Sequence, residues 1–121
     1  MFKYYNANPK GRNVNDCTVR AISLATGRTW DETYRELSHF AQIQAIMPDD
    51  VIYIDEYLAN RFPVVCDCEG LEITVEEFVR NHPLGIYLIT MAGHITCSIN
   101  GIVYDTFDPS SRFIWEAYRI K

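Results

Sequence analysis

The chain has 121 residues, and its 11 Lys and Arg residues against 16 Asp and Glu residues give a net charge of −5. This length suits one domain with one hydrophobic core, so we expect a single domain over residues 1–121. There is no cluster of basic residues, and no apolar run approaches the roughly 20 residues of a membrane span. Nucleic acid and membranes are therefore excluded as expected partners.

The N-terminal residues do not lead into the apolar segment of a signal peptide. We therefore expect a cytoplasmic protein. Because thiols stay reduced in that compartment, its four cysteines are expected to be mostly reduced thiols rather than a disulfide framework.

The first half of the chain carries helical patterns. Residues 1–14 are rich in turn-forming side chains and predict an ordered loop. Apolar residues at helical spacing predict a helix over residues 16–26, which Gly27 ends. A capping box predicts a second helix over residues 29–41. A third helix is predicted over residues 50–60.

The second half carries mainly strand patterns. Residues 62–66 predict a short strand whose proline places it at a sheet edge. A second capping box predicts a short helix over residues 74–81. The apolar run 84–91 predicts a central strand, and residues 113–120 predict the last one.

The clearest pattern is a hairpin. Asn100-Gly101 separates two β-rich runs, 94–99 and 102–107, and predicts a two-residue type I′ turn. Helices come first along the chain and strands follow. The expected fold class is therefore α+β, with N-terminal helices packed on a C-terminal antiparallel sheet.

Three residues of this predicted fold form a candidate catalytic group. Cys17 lies where a polar loop becomes a helix, and a helix N-terminus favours the thiolate. Pairing outward from the turn places His94 and Asp105 on one face as diagonal neighbours, whereas Asp108 faces the other way. A carboxylate in that position orients an imidazole towards a nucleophile. The alternatives are a small buried apolar role for Cys17 and structural roles for the other two.

Several short motifs occur in order along nearly the whole chain: Tyr5-Asn6-Ala7-Asn8-Pro9-Lys10-Gly11, Asp16-Cys17-Thr18-Val19-Arg20-Ala21, Gly93-His94 and Tyr104-Asp105-Thr106-Phe107-Asp108. They resemble papain-like cysteine peptidases, in particular bacteriocin-processing peptidase domains and small phage-type and bacterial papain-like proteins of unassigned substrate. The resemblance implies a papain-like fold in which Cys17 is the nucleophile, His94 the general base and acid, and Asp105 the orienting residue. It implies no metal and no cofactor.

The chain departs from that family at the oxyanion hole. Papain-like enzymes place a Gln before the nucleophile as an oxyanion donor, but Gly11 stands at that position and no Gln precedes Cys17. We expect Asn13 or Asn8 to replace it, donating together with the Cys17 backbone N–H. Asn15 is expected to belong to the helix cap instead.

The predicted function is a thiol hydrolase that cleaves a peptide or isopeptide bond of a peptide or protein substrate through a thioester intermediate. One alternative is an acyl transferase that uses the same triad. Another is a catalytically idle papain-like protein, for example a phage-encoded one that binds or inhibits a host protein in the host cytoplasm. The sequence makes no prediction of the oligomeric state.

Two further features have competing interpretations. Cys66 and Cys68 would need Cys97 and His82 to complete a four-ligand zinc site, and the spacing does not favour one. We expect Cys66 in the core and Cys68 in a loop. Arg20, one turn after the nucleophile, either raises the local positive potential or forms a structural ion pair.

Overall fold

The structure is a computed structural model that describes all residues 1–121. It is an α+β fold with four helices and a six-stranded sheet, so the predicted fold class is confirmed at this level. In chain order the elements are β1 (Phe2–Tyr4), α1 (Cys17–Thr26), α2 (Trp30–Ile43), α3 (Val51–Arg61), β2 (Val64–Asp67), α4 (Val75–Asn81), β3 (Ile86–Met91), β4 (His94–Ile99), β5 (Ile102–Asp105) and β6 (Ile114–Arg119).

The sheet is mixed, which corrects the prediction of an antiparallel sheet. Its strand order is β1-β5-β4-β3-β6-β2, and β1 runs parallel to β5 while every other pair is antiparallel. The predicted loop at residues 1–14 thus begins with a strand. Three residues are too few to show an alternating pattern, and β1 exists because the edge of β5 pairs with it, Phe2 opposite Val103.

The predicted hairpin is confirmed in type and register. Ile99 pairs with Ile102, and the two residues between them both have positive φ, 48° at Asn100 and 80° at Gly101, as a type I′ turn requires. The tight turn fixes the pairing outward along both strands. The start of β4 therefore lies beside the end of β5.

The helix starts follow their sequence signals to different degrees. Thr29 and Glu32 form the full reciprocal capping box of α2. At α4 only the Thr74 side chain caps, accepting a hydrogen bond from the Glu77 N–H at 3.1 Å. Gly27 ends α1 in the left-handed conformation that a residue without Cβ adopts readily, with φ 71°.

Buried apolar residues form one cluster on each face of the sheet. Along β3 the side chains alternate, so that Leu88 belongs to one cluster while Tyr87 and Ile89 belong to the other. The first cluster joins the sheet to residues of α1, α2 and α3, and the second joins it to residues of α4. Helices α1 and α4 therefore lie on opposite faces of the sheet. Helix α1 carries Cys17 of the candidate site.

The sequence predicts mostly reduced thiols, but only two of the four cysteines are free. Cys66 and Cys68 form a disulfide, with their Cα atoms 5.5 Å apart at the end of edge strand β2. Their predicted burial is also reversed, because Cys68 is 1% exposed and Cys66 only partly buried. Cys17 and Cys97 are free.

None of the four helices combines the length and the apolar character that crossing a bilayer requires.

Candidate active site

The three residues of the predicted triad stand at the ends of three elements. Cys17 is the first residue of α1, His94 is the first residue of β4, and Asp105 is the last residue of β5. His94 Nε2 lies 2.6 Å from Asp105 Oδ2, and the two side chains are only 6% and 2% exposed. Because Nε2 is engaged by the carboxylate, Nδ1 is the ring nitrogen left for the thiol.

Asp105 is held as a carboxylate. Burial by itself would raise its pKa, but hydrogen bonds from His94 and from the backbone N–H of Thr106, the latter at 2.7 Å, together with the nearby imidazolium charge hold it below its usual range. Arg20 Nη1 lies 3.2 Å from the same oxygen that accepts the Thr106 N–H. An ionised Asp105 is what the orienting role requires.

The pKa of His94 is raised to about 9. Burial disfavours the imidazolium, but the hydrogen bond to Asp105, the hydrogen bond to Cys17 and the negative charges of both outweigh it. At neutral pH the ring is therefore protonated and placed between a carboxylate and a thiol.

The pKa of Cys17 is lowered below its ordinary value of 9.0. Burial alone would raise it, yet hydrogen bonds from His94, the Ile95 backbone N–H and the Thr18 side chain, together with the imidazolium charge, have the larger combined effect. Cys97 shows the opposite case, because burial raises its pKa to about 12. Of the two free thiols, only Cys17 sits in surroundings that favour a thiolate.

Asp16, directly before Cys17, organises the start of α1. Its Oδ1 accepts a hydrogen bond from Arg20 Nε at 2.8 Å, and its Oδ2 accepts from Trp30 Nε1 at 2.9 Å and from Asn8 Nδ2 at 3.2 Å. The side chain makes no capping bond to the helix. The Asp16 side chain therefore does not occupy the first-turn N–H groups of α1. These groups favour negative charge at the start of the helix, where Cys17 lies.

Arg20 connects α1, which begins with Cys17, to β5, which ends with Asp105. It pairs with Asp16 through Nε and with Asp105 through Nη1, and its side chain is 11% exposed. The sequence left open whether Arg20 raises the local potential or forms an ion pair, and the structure shows a double ion pair. The sequence contained no signal for its second partner, which lies 85 residues away.

A cavity of about 250 Å³ opens at the candidate triad. Cys17, His94 and Asn15 contribute to its wall. Apolar residues of α3 and β3, Ile54 and Met91, line it as well. Cys17, the candidate nucleophile, thus borders this open space.

The two asparagines expected as oxyanion donors lie elsewhere. The Asn8 amide donates to Asp16, and neither Asn8 nor Asn13 contributes to the cavity wall. Asn15 does, and its side chain makes no hydrogen bond in the protein. The cap position belongs to Asp16 instead. The only sequence signal for Asn15 was its closeness to Cys17.

Asp108, the alternative orienting carboxylate, is turned away from the imidazole. Its Oδ1 accepts hydrogen bonds from the backbone N–H of Ser110, at 3.0 Å, and from the Ser110 hydroxyl. The ring of Phe107 instead packs against that of His94, with centroids 4.6 Å apart. No group of three or more His, Cys, Asp or Glu side chains is arranged to hold a metal ion.

Comparisons of the chain with protein-family models, with curated proteins and with solved structures found no match. What the site presents is a thiol of lowered pKa, an imidazole held by a buried carboxylate and a cavity beside them. Together these groups are equipped for nucleophilic attack on a carbonyl carbon.

Proposed function

We propose that this protein is a thiol hydrolase that cleaves a peptide or isopeptide bond through a Cys17–His94–Asp105 triad. The observation that carries the proposal is the 2.6 Å contact between His94 Nε2 and Asp105 Oδ2. It leaves Nδ1 for Cys17, whose pKa the imidazole lowers. Candidate nucleophile, base and orienting group are thereby present in one place.

In the proposed reaction the Cys17 thiolate attacks the carbonyl carbon of the substrate, and a tetrahedral intermediate forms. His94 Nδ1–H then protonates the amine, which leaves as the C–N bond breaks and a thioester remains. Water attacks the thioester while the neutral imidazole accepts one of its protons. The carboxylic acid departs, and the thiolate and the imidazolium are restored.

The negative charge on the tetrahedral oxygen needs hydrogen-bond donors. We assign this role to the Asn15 side-chain amide and the Cys17 backbone N–H, which together take the place of the absent Gln. The assignment is supported by the position of Asn15 in the cavity wall and by its unoccupied amide.

We also propose that the fold is papain-like. Its support is the order of the parts along the chain: a thiol at the start of an early helix, a histidine at the start of a later strand and a carboxylate on the strand paired with it. An acyl transferase or an idle binding protein built on this fold would have the same order of parts. Only a measurement of activity distinguishes these alternatives from a hydrolase.

The test combines a thiol-directed probe with a peptide digest. We expect iodoacetamide near neutral pH to modify Cys17 much faster than Cys97, which is 0% exposed, and we expect His94→Ala to remove that selectivity. Wild-type protein incubated with a diverse peptide library and analysed by mass spectrometry should produce cleavage that Cys17→Ala abolishes. Cys97→Ala is the matched control and should retain cleavage.

Two outcomes would redirect the proposal. A reactive Cys17 that transfers the acyl group to an added amine such as hydroxylamine, but not to water, would indicate the acyl transferase. If Cys17 reacts no faster than an unperturbed thiol and no peptide is cleaved, the proposed enzyme activity is contradicted. That outcome would favour the binding or inhibitory protein.

A further inference from the structure

Two carboxylates in the wall of the Cys17 cavity have no partner in the protein. Asp49 precedes α3 and Asp55 lies within it, and both line the same cavity as Cys17 and His94. Neither side chain takes part in an ion pair, and neither accepts a hydrogen bond. This differs from Asp50 between them, whose Oδ1 caps α3 by accepting the Tyr53 N–H.

No lysine or arginine lines the cavity. The nearest cation in sequence to the nucleophile, Arg20, is committed to Asp16 and Asp105. The only cationic group in the wall is His94, and its charge is already shared between Asp105 and the thiol. The protein thus supplies no positive charge for the two free carboxylates.

Further acidic residues surround Asp55 rather than compensating it. Burial and the negative charge of Glu69 raise the pKa of Asp55. Burial, followed by the charges of Asp55, Asp67 and Glu69, raises the pKa of Glu116 as well. A partly buried carboxylate among like charges is unfavourable until a cation pairs with it.

We propose that Asp55, assisted by Asp49, is a specificity-determining residue that selects a lysine or arginine side chain next to the scissile bond. This inference rests on the proposed hydrolase function. The acidic residues share the cavity with the nucleophile, so a substrate carbonyl at Cys17 brings its neighbouring side chain towards them. Both basic side chains carry an apolar stem, for which Ile54 and Trp115 provide apolar wall.

The size of the cavity is in keeping with this occupant. About 250 Å³ is less than the roughly 300–1,000 Å³ of pockets that enclose a whole drug-sized ligand. It suits one side chain together with the amide bond beside it. The substrate's remaining residues would extend along the open surface.

The first experiment measures the preference during turnover. Peptides that differ only in the residue on either side of the scissile bond, with Lys, Arg, norleucine or Glu in turn, are assayed with wild-type protein, Asp55→Asn and Asp67→Asn. We expect wild type to prefer Lys or Arg over norleucine by about tenfold, and we expect Asp55→Asn to lose most of that preference. Asp67→Asn removes the same charge outside the cavity wall and should keep it.

The second experiment needs no turnover and therefore separates failure of the inference from failure of the proposed function. The rate of Cys17 modification is measured with a cationic and an anionic methanethiosulfonate of similar size, at low and high salt. We expect a ratio of cationic to anionic rates above one, and we expect Asp55→Asn to lower it several-fold while Asp67→Asn does not. Asp55→Lys should reverse the ratio.

If the charge preference disappears in Asp55→Asn but no peptide is cleaved, the acidic subsite stands and the hydrolase proposal fails. If peptides are cleaved with no preference for basic residues, or if Asp67→Asn changes the ratio as much as Asp55→Asn, the inference about Asp55 is wrong.

Discussion

Two pairs of carboxylates near the same thiol have opposite surroundings. Asp16 and Asp105 are 8% and 3% exposed, and each accepts hydrogen bonds from several donors. Asp49 and Asp55, in the cavity wall, accept none. The residue type is the same in all four positions, so the difference lies entirely in what the fold places around each one.

Asp16 and Asp105 are bonded within the protein, whereas Asp49 and Asp55 are free to meet a ligand. The pKa of Asp105 is lowered because hydrogen bonds outweigh its burial, whereas the pKa of Asp55 is raised because burial and the charge of Glu69 act in the same direction. We interpret the first pair as the support of the triad and the second as the binding surface.

The largest effect is expected from neutralising Asp105. Asp105→Asn keeps the side-chain shape but removes the charge that stabilises the imidazolium, and we expect the kcat of peptide cleavage to fall by about 10³–10⁴. Asp108→Asn is the matched control, since its carboxylate bonds to Ser110 instead. A larger loss in Asp108→Asn than in Asp105→Asn would show that the orienting role has been given to the wrong residue.

The next largest effect is expected at the oxyanion hole. Asn15→Ala should slow turnover by about 10²–10³ without changing the free energy of unfolding, because the Asn15 amide bonds to nothing in the protein. Asn13→Ala should leave turnover unchanged. Asn8→Ala should lower stability through the lost bond to Asp16. Turnover measured together with urea unfolding distinguishes these cases, and an unaffected Asn15→Ala enzyme would refute the assignment.

A smaller effect tests the support of the site. Arg20→Met retains much of the side-chain bulk but removes donors from Asp16 and Asp105, and we expect the free energy of unfolding to fall by about 2–3 kcal/mol. Arg35→Met provides the comparison, because its pair with Asp31 is exposed and should contribute about 0.5 kcal/mol or less. Similar losses in the two variants, measured by urea unfolding, would mean that Arg20 does not support the triad.

The smallest expected effect is a shift along the pH axis. The pKa of Cys17 is lowered and that of His94 is raised to about 9. The thiolate–imidazolium pair therefore exists at pH values above the pKa of Cys17 and below the pKa of His94. Peptide cleavage should rise as Cys17 ionises and fall again as His94 loses its proton near pH 9. Alkylation should follow the first limb alone, and its midpoint should move upward in His94→Ala. A midpoint at the ordinary thiol value of 9.0, unmoved by His94→Ala, would contradict an activated thiol.

The free energy of unfolding should also depend on pH through the protonation of His94. The folded-state pKa of His94 lies above the ordinary value of 6.5, so the stabilisation by its charged form is complete below that value and is lost as pH rises through about 9. His94→Ala should flatten this decline between pH 7 and 9.5, measured by urea unfolding. A decline equally steep in the variant would assign it to other groups.

Local patterns predicted much of the fold. The type I′ turn at Asn100-Gly101 fixes the register of β4 and β5. This register alone predicts that His94 lies beside Asp105, as the structure shows. The capping box at Thr29 predicted the start of α2 in the same way. Such signals act within a few residues, and they are readable because the hydrogen bonds that they create are local.

Other features depended on partners far away in the chain. The strand Phe2–Tyr4 exists because β5, about 100 residues later in the chain, offers it an edge. Neither of the two expected oxyanion donors, Asn8 and Asn13, lines the cavity, and the Asn8 amide is bonded to Asp16 instead. None of these contacts leaves a periodic or a compositional trace.

By itself, the sequence determined the α+β class, the hairpin register and the group of residues that forms the candidate triad, because turns, caps and alternating side chains are set by neighbours along the chain. The tertiary structure alone decided that Arg20 joins Asp16 to Asp105, that Asn15 lines the cavity, and that Asp55 faces it without a partner. The reason is physical: pairing and desolvation of a charge depend on what is close in space, and residues far apart in sequence bring those surroundings together.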